Sequence, residues 1–354
     1  MRQGVSAAIL AVILTALGMT VAAAVERPSA LDLRVDSISR SALLHEPAAK
    51  LVDPDRQAAA ARRAHWTVFG FVLTQLVEAV ALLYLWSSGG AAALRDWLRR
   101  RLPNEWAVRF CFGAALALVA RIASFLPSFY LYRVDRTLDL TFELTRWWAF
   151  YWVFHTIVAM AIAGFIVAVV LWLASITHQW YVYAIAGILA VTVIWSDLNP
   201  LRLPTFFGST PSELRYAAAF AQAVQHDQLS IALIEGGIII VFAAIAVVIA
   251  DRIRFRRDDD PLSRMAIVGA LLALVYFGAV PVRNAVARSY DLGDDAYAIA
   301  FTDDPAGAVR ALVRLADQRM EEVCPEQSAL LFLYTSPGTG ERVAAINQVP
   351  SGCR

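Results

Sequence analysis

Charge is what this sequence has least of. Only 17% of its 354 residues are charged, while 59% are hydrophobic and the mean hydropathy is +0.56. An average soluble domain carries roughly a quarter charged residues, so this chain dissolved in water would aggregate, and its apolar excess has to face lipid. Sign bias is lacking too. The 31 Lys and Arg stand against 30 Asp and Glu, a net charge of +1 that offers no field for nucleic acid. Lysine occurs once, at Lys50, and the other basic residues are Arg. Three cysteines (Cys111, Cys324, Cys353) are too few for a disulfide scaffold and show no C-x-x-C spacing. The five histidines (His45, His65, His155, His178, His226) are scattered, so no H-E-x-x-H metal helix exists. A glycine-rich phosphate loop and a G-x-S-x-G elbow are absent as well.

Long apolar runs are what it has. A helix needs about 20 mostly apolar residues to cross a bilayer, because its backbone polar groups must be satisfied internally there. Seven stretches qualify. Residues 5–25 are uncharged, 67–88 carry only Glu78, and 110–132 carry only Arg121. The uncharged run 147–196 suits two spans with a break at 175–179, and two more follow at 229–250 and 265–282. Gly236-Gly237 falls inside a span and permits close helix packing. The expected fold is an all-α polytopic membrane protein with about seven transmembrane helices. Arg2 ahead of an apolar core, with Ala22-Ala23-Ala24 behind it, also reads as a cleaved signal peptide, which leaves six spans. Residues 26–66 form a polar extramembrane segment, 67–285 the membrane domain, and 286–354 a small, mainly helical extramembrane domain with a strand-like run at 329–334.

Two short loops are rich in arginine, one with Arg95, Arg99, Arg100 and Arg101, the other with Arg252, Arg254, Arg256, Arg257 and Arg264. The excess of Arg in cytoplasmic loops places both inside the cell and the C-terminal domain outside, as expected for a bacterial plasma-membrane protein. Cys324 and Cys353 then face an oxidising space, as a disulfide or as two free thiols.

A charge at the centre of a span costs roughly 2.5–3.5 kcal/mol on insertion, so Glu78, Arg121 and Glu235, with His155, need a partner or a watery cavity. They read either as a polar interior that handles a substrate or as packing pairs and groups near an interface. The acidic group Asp291, Asp294 and Asp295 reads as a divalent-cation site or as a solvated helix start paired with Arg288. Trp147, Trp148 and Trp152 beside Arg146 read as an interfacial aromatic belt.

Several short motifs share an order. Leu126-Pro127, Tyr132-Arg133-Val134-Asp135, Trp147-Trp148, Asn199-Pro200-Leu201, the stretch from Arg288 to Asp295, and Thr335-Ser336-Pro337 with Glu341-Arg342-Val343 follow one another over roughly residues 60–346. This layout resembles the type-1 CAAX prenyl protease family of membrane zinc peptidases. The resemblance implies seven spans around a chamber, and zinc held by two His of an H-E-x-x-H helix and a later Glu, with the Glu between the two His as general base. In this chain Phe220, Ala221, Gln222, Ala223 and Val224 stand on the five motif positions, in a peptidase-like helix at 211–228. The third ligand position is Asp291, and Ser336 replaces the histidine of a Ser-His-Pro motif. About a dozen residues separate Pro200 from Ser212, too few for the family's substrate-pairing strand.

Function is therefore expected to be non-catalytic: a degenerate relative that binds a peptide, a lipid or a membrane-protein partner, with no zinc cofactor. Two alternatives stand beside it. One is a peptidase rebuilt around a polar site of His226, Arg288, Asp291 and Asp295; the other is a transporter using Glu78 and Arg121.

Overall fold

A computed structural model describes residues 32–138, 140–141, 143–198, 210–253 and 260–353. The stretch 5–25, the Asn199-Pro200-Leu201 segment and Arg254, Arg256 and Arg257 lie outside the described residues. After a 3-10 turn at Asp32–Ser37 come α1 (Arg40–His45), α2 (Ala48–Leu51), α3 (Pro54–Ser87), α4 (Gly90–Arg101), α5 (Glu105–Ala123), α6 (Phe125–Thr137) and α7 (Thr145–Ile176). Then follow α8 (Trp180–Leu198), α9 (Pro211–Arg252), α10 (Pro261–Thr302), α11 (Pro305–Arg319), α12 (Gln327–Phe332) and α13 (Thr339–Asn347). The described residues contain no strand.

The protein is an all-α integral membrane protein. Five helices, α3, α5, α7, α9 and α10, are long and apolar enough to cross a bilayer. α8 carries a shorter apolar stretch, Trp180–Ile194, after a break at 177–179 that matches the expected one. Only 11% of the most apolar window of α7 is buried inside the protein, so most of this 32-residue helix faces lipid.

Each long helix that carries the extramembrane part starts from a capping side chain followed by proline, whose missing N–H costs nothing in a first turn. The Asp53 carboxylate accepts from the N–H groups of Asp55 and Arg56 ahead of α3, and Asp260 caps α10 by accepting from Leu262. Thr210 and Glu213 form a reciprocal capping box at the start of α9.

Two expectations need correction, and a third is met in part. The run 110–132 is two helices rather than one span: α5 ends at Ala123 and α6 starts at Phe125, so Arg121 sits in a last helical turn, where the helix dipole favours a cation. Of the seven expected spans, the described residues supply five helices with the length and apolarity of a crossing. The strand-like run is helical over Gln327–Phe332. A six-residue apolar run does not distinguish strand from helix by periodicity, and here the terminal carbonyls are taken up by donors on α10. Asn284 donates to the carbonyl of Leu331 at 3.0 Å, and Arg288 donates to those of Leu330 and Tyr334 at 2.5 and 2.9 Å.

In the bundle, α5 and α7 touch backbone to backbone. A Cβ at Gly113 would lie 2.6 Å from the carbonyl oxygen of Ala163, and one at Gly164 would lie 2.7 Å from that of Phe110. Gly236 has the same role against Leu189 of α8, whereas Gly237 faces open space. At one end of the bundle Arg99 donates to Asp260 at 2.9 Å and Arg95 stands 3.5 Å from the same carboxylate, so the described parts of the two Arg-rich loops meet.

At the other end α3, α9 and α10 run on past their apolar stretches without a break. The boundaries read at residues 66, 228 and 286 fall inside continuous helices. These extensions carry a cap made of the 3-10 turn, α1, α2 and α11–α13, whose core includes Leu43, Leu51, Tyr216, Phe220, Val309, Leu312, Val313 and Val343. A disulfide joins Cys324 to Cys353, with Cα atoms 5.3 Å apart, and Cys111 is free.

Candidate functional site

The extensions of the three long helices are each fastened to the cap by one arginine, partly buried in the first clamp and buried in the other two. From α3, Arg56 donates to the Asp317 carboxylate of α11 at 2.5 Å and to the Asp317 carbonyl at 2.8 Å. On α11, Arg314 donates to Glu213 of α9 at 3.2 Å and also to Asp36 in the 3-10 turn. From α13, Arg342 grips Asp295 of α10 with two donors, at 2.7 and 2.6 Å. That fork is the strong bidentate geometry. Glu213 is fully buried, and Arg314, Asp295 and Arg342 are nearly so.

The third clamp occupies the region that the sequence singled out. The Tyr216 hydroxyl donates to Asp295 at 2.5 Å, and Arg342 reaches the same hydroxyl at 3.3 Å. The Arg342 guanidinium lies 5.2 Å over the ring of Phe220. Burial works against the Arg342 charge, but the Asp295 carboxylate outweighs it and holds the pKa above the usual arginine range. Burial also pushes Tyr216 well above its ordinary value. Of the five positions aligned with the metal motif, Phe220, Ala221 and Ala223 are buried, Val224 is partly buried against the cap core, and Gln222 points to solvent. Four of those side chains carry no donor atom for a metal ion, and the fifth, Gln222, offers only a neutral amide. Among the described residues no three His, Cys, Asp or Glu side chains gather to hold one.

No model of a known protein family matches this chain, and no curated protein does.

The rebuilt-site residues come together only in part. Asp291, Asp294, Asp295 and Asp227 place their charges close to one another between α9 and α10, whereas His226 is exposed. Arg288 donates to the carbonyls behind α12, and Asp295 pairs with Arg342. Asp294 is 3% exposed, with one carboxylate oxygen buried and without a hydrogen bond. It lies twelve residues past Val282, where the apolar stretch of α10 ends, about 18 Å along the helix.

The intramembrane charges separate into two places. Glu78 of α3 lies near Arg121 and Ser124, and Arg121 lines a cavity with His155 of α7. Glu235 is on α9 and does not line that cavity. Trp147 is half exposed, beside Arg146. Trp148 and Trp152 turn inward to stack with Tyr132, Phe129 and Phe125 of α6.

Sequence reading missed Arg56, Arg314, Glu213 and Arg342 as a set. Glu213 carried a local signal, since Thr210-Pro211-Ser212-Glu213 is a capping-box pattern. The arginine partners carried none, because each acts across a contact between distant parts of the chain.

Two predictions follow from these clamps. Removing one member of a buried pair leaves an uncompensated charge, so Arg342→Met should destabilise the cap by about 3–5 kcal/mol. Adding Asp295→Leu should recover part of that loss, giving a coupling of about 1–3 kcal/mol in a denaturant double-mutant cycle on the full chain. Strict additivity would remove the clamp from the account.

The second prediction concerns pH. Burial, then the charges of Asp291, Asp227 and Asp295, pushes Asp294 from 3.8 up to about 7. Burial and Glu326 bring Glu322 to about 7 as well. The folded state therefore holds these protons more tightly than the unfolded chain. Their contribution is most favourable below pH about 4, declines as the pH rises from about 4 to about 7, and is constant above that. Asp294→Asn should raise the thermal midpoint at pH 8 and leave it nearly unchanged at pH 4. An equal effect at both values would contradict the assignment.

Proposed function

We propose that this protein is a non-catalytic membrane protein on the plan of the type-1 CAAX prenyl proteases, retaining a helical frame that binds a peptide, lipid or membrane-protein partner. One observation carries the reading. Where the resemblance asks for a metal-binding helix face, Phe220 and its neighbours are packed into the cap under Arg342, with Asp295 and Tyr216 committed to that arginine.

A polar, open face is what hydrolysis at a bound metal requires. A charge clamp over a phenylalanine ring serves structure instead. The peptidase alternative would have to recruit His226, which is exposed, to the Asp291 carboxylate on another helix. Seven spans around a chamber, with the cap outside the cell, complete the proposed arrangement. The orientation is supported by the charge of the Arg-rich loops at the opposite end of the bundle from the cap.

Metal analysis of the intact purified protein, together with a peptide-cleavage assay, tests this reading. Far less than one zinc per chain and no chelator-sensitive cleavage are expected. Stoichiometric zinc that a chelator removes along with activity would refute it.

A further inference from the structure

A cavity of about 520 Å³ opens between the end of α5, α6 and the first turns of α7. It lies apart from the Phe220 region and does not rest on the reading given there. Its walls are aromatic, with Trp148, Tyr151 and Trp152 supplied by α7, and its cation is Arg121 in the last turn of α5.

Two donors on the cavity's lining residues, Arg121 Nε and Trp152 Nε1, are buried and make no hydrogen bond among the described residues. The Arg121 guanidinium lies 5.6 Å from the centre of the Trp152 ring, so the indole steadies the cation without satisfying its N–H groups. Glu78 stands near enough for its charge to be felt by Arg121, from α3, but is not part of the cavity wall. Buried donors are nearly always paired in folded proteins, and two unpaired ones beside an open cavity mark the place of an absent acceptor. Among the described residues of the wall Glu143 is the one carboxylate, and it is exposed.

The position of the cavity selects the acceptor's carrier. Tyr151 and His155 on its wall are exposed, and Phe150 and Phe154 beside them on α7 are more than half exposed in a helix that faces lipid. The mouth therefore opens toward the bilayer at its interface, where phosphate groups lie and where tryptophan accumulates. A guanidinium at this depth suits a lipid phosphate, whose oxygens it can meet with two parallel donors. We propose that this cavity binds the phosphate of a membrane phospholipid, with Arg121 and Trp152 donating to its oxygens and the acyl chains lying along the outer face of α7.

Native mass spectrometry of the full chain in detergent, titrated with phosphatidylglycerol, tests the proposal. The wild type should form a one-lipid complex, with affinity about tenfold lower in Arg121→Gln and several-fold lower in Trp152→Phe. Trp152→Phe keeps an aromatic side chain while removing the indole donor, so it decides the matter if Arg121→Gln does not fold. A diacylglycerol with the same chains and no phosphate should bind no better than the Arg121→Gln variant binds phosphatidylglycerol. Unchanged affinity in folded variants, or equal binding of the diacylglycerol, would overturn the site. Displacement of the lipid by millimolar inorganic phosphate would overturn the lipid assignment in favour of a soluble ligand.

Discussion

An arginine paired with a carboxylate inside the cap is the constraint from which this structure is built, used three times and buried in two of them. Arg56 with Asp317, Arg314 with Glu213 and Arg342 with Asp295 each join a membrane helix that has outgrown the bilayer to the cap above it. Taking both ions out of water is expensive, and their attraction compensates only where geometry is good and the remaining donors are satisfied. The bidentate fork of Arg342, with Tyr216 completing the shell of Asp295, meets that condition. A buried pair of this kind specifies which surfaces meet more than it adds net stability.

That constraint decides what the cap can do. Half of α9 and half of α10 are core elements of the cap, so the side chains that a hydrolytic site would present are spent on packing. Ala219, Phe220 and Ala223 lie under α11 and the Arg342 clamp with little accessible surface. Asp294, buried among like charges at the same α9–α10 contact, makes this junction sensitive to pH near neutrality. The membrane half behaves differently. Its helices meet through glycines and aromatic rings, and the buried donors of Arg121 and Trp152 lie where α5, α6 and α7 come together.

Much of this was legible in the residues. An uninterrupted apolar stretch of twenty or more residues admits few structures other than a membrane helix, and the polar break before Trp180 was visible in composition. The division at Ser124 was not legible, because 110–132 is apolar on both sides of it, and α6 turns away only by packing Val134 and Leu138 against Ala59, Ala60 and Met320. The helix at 327–332 was misread because its ends are stabilised by Asn284 and Arg288, more than forty residues away. Arg342 stood in a quoted motif, yet its partner Asp295 lies 47 residues earlier, and no local pattern names it. Local caps and hydrophobic spacing are properties of a segment; the choice of a buried ionic partner belongs to the fold.

Hydrogen–deuterium exchange on the intact protein in detergent tests the clamped cap most directly. If the clamps hold α9 as cap core, amides at 216–224 should exchange as slowly as those at 309–316 and open with them as one unit. Fast exchange at 216–224 while 309–316 stays protected would show a free helix face there and contradict the account.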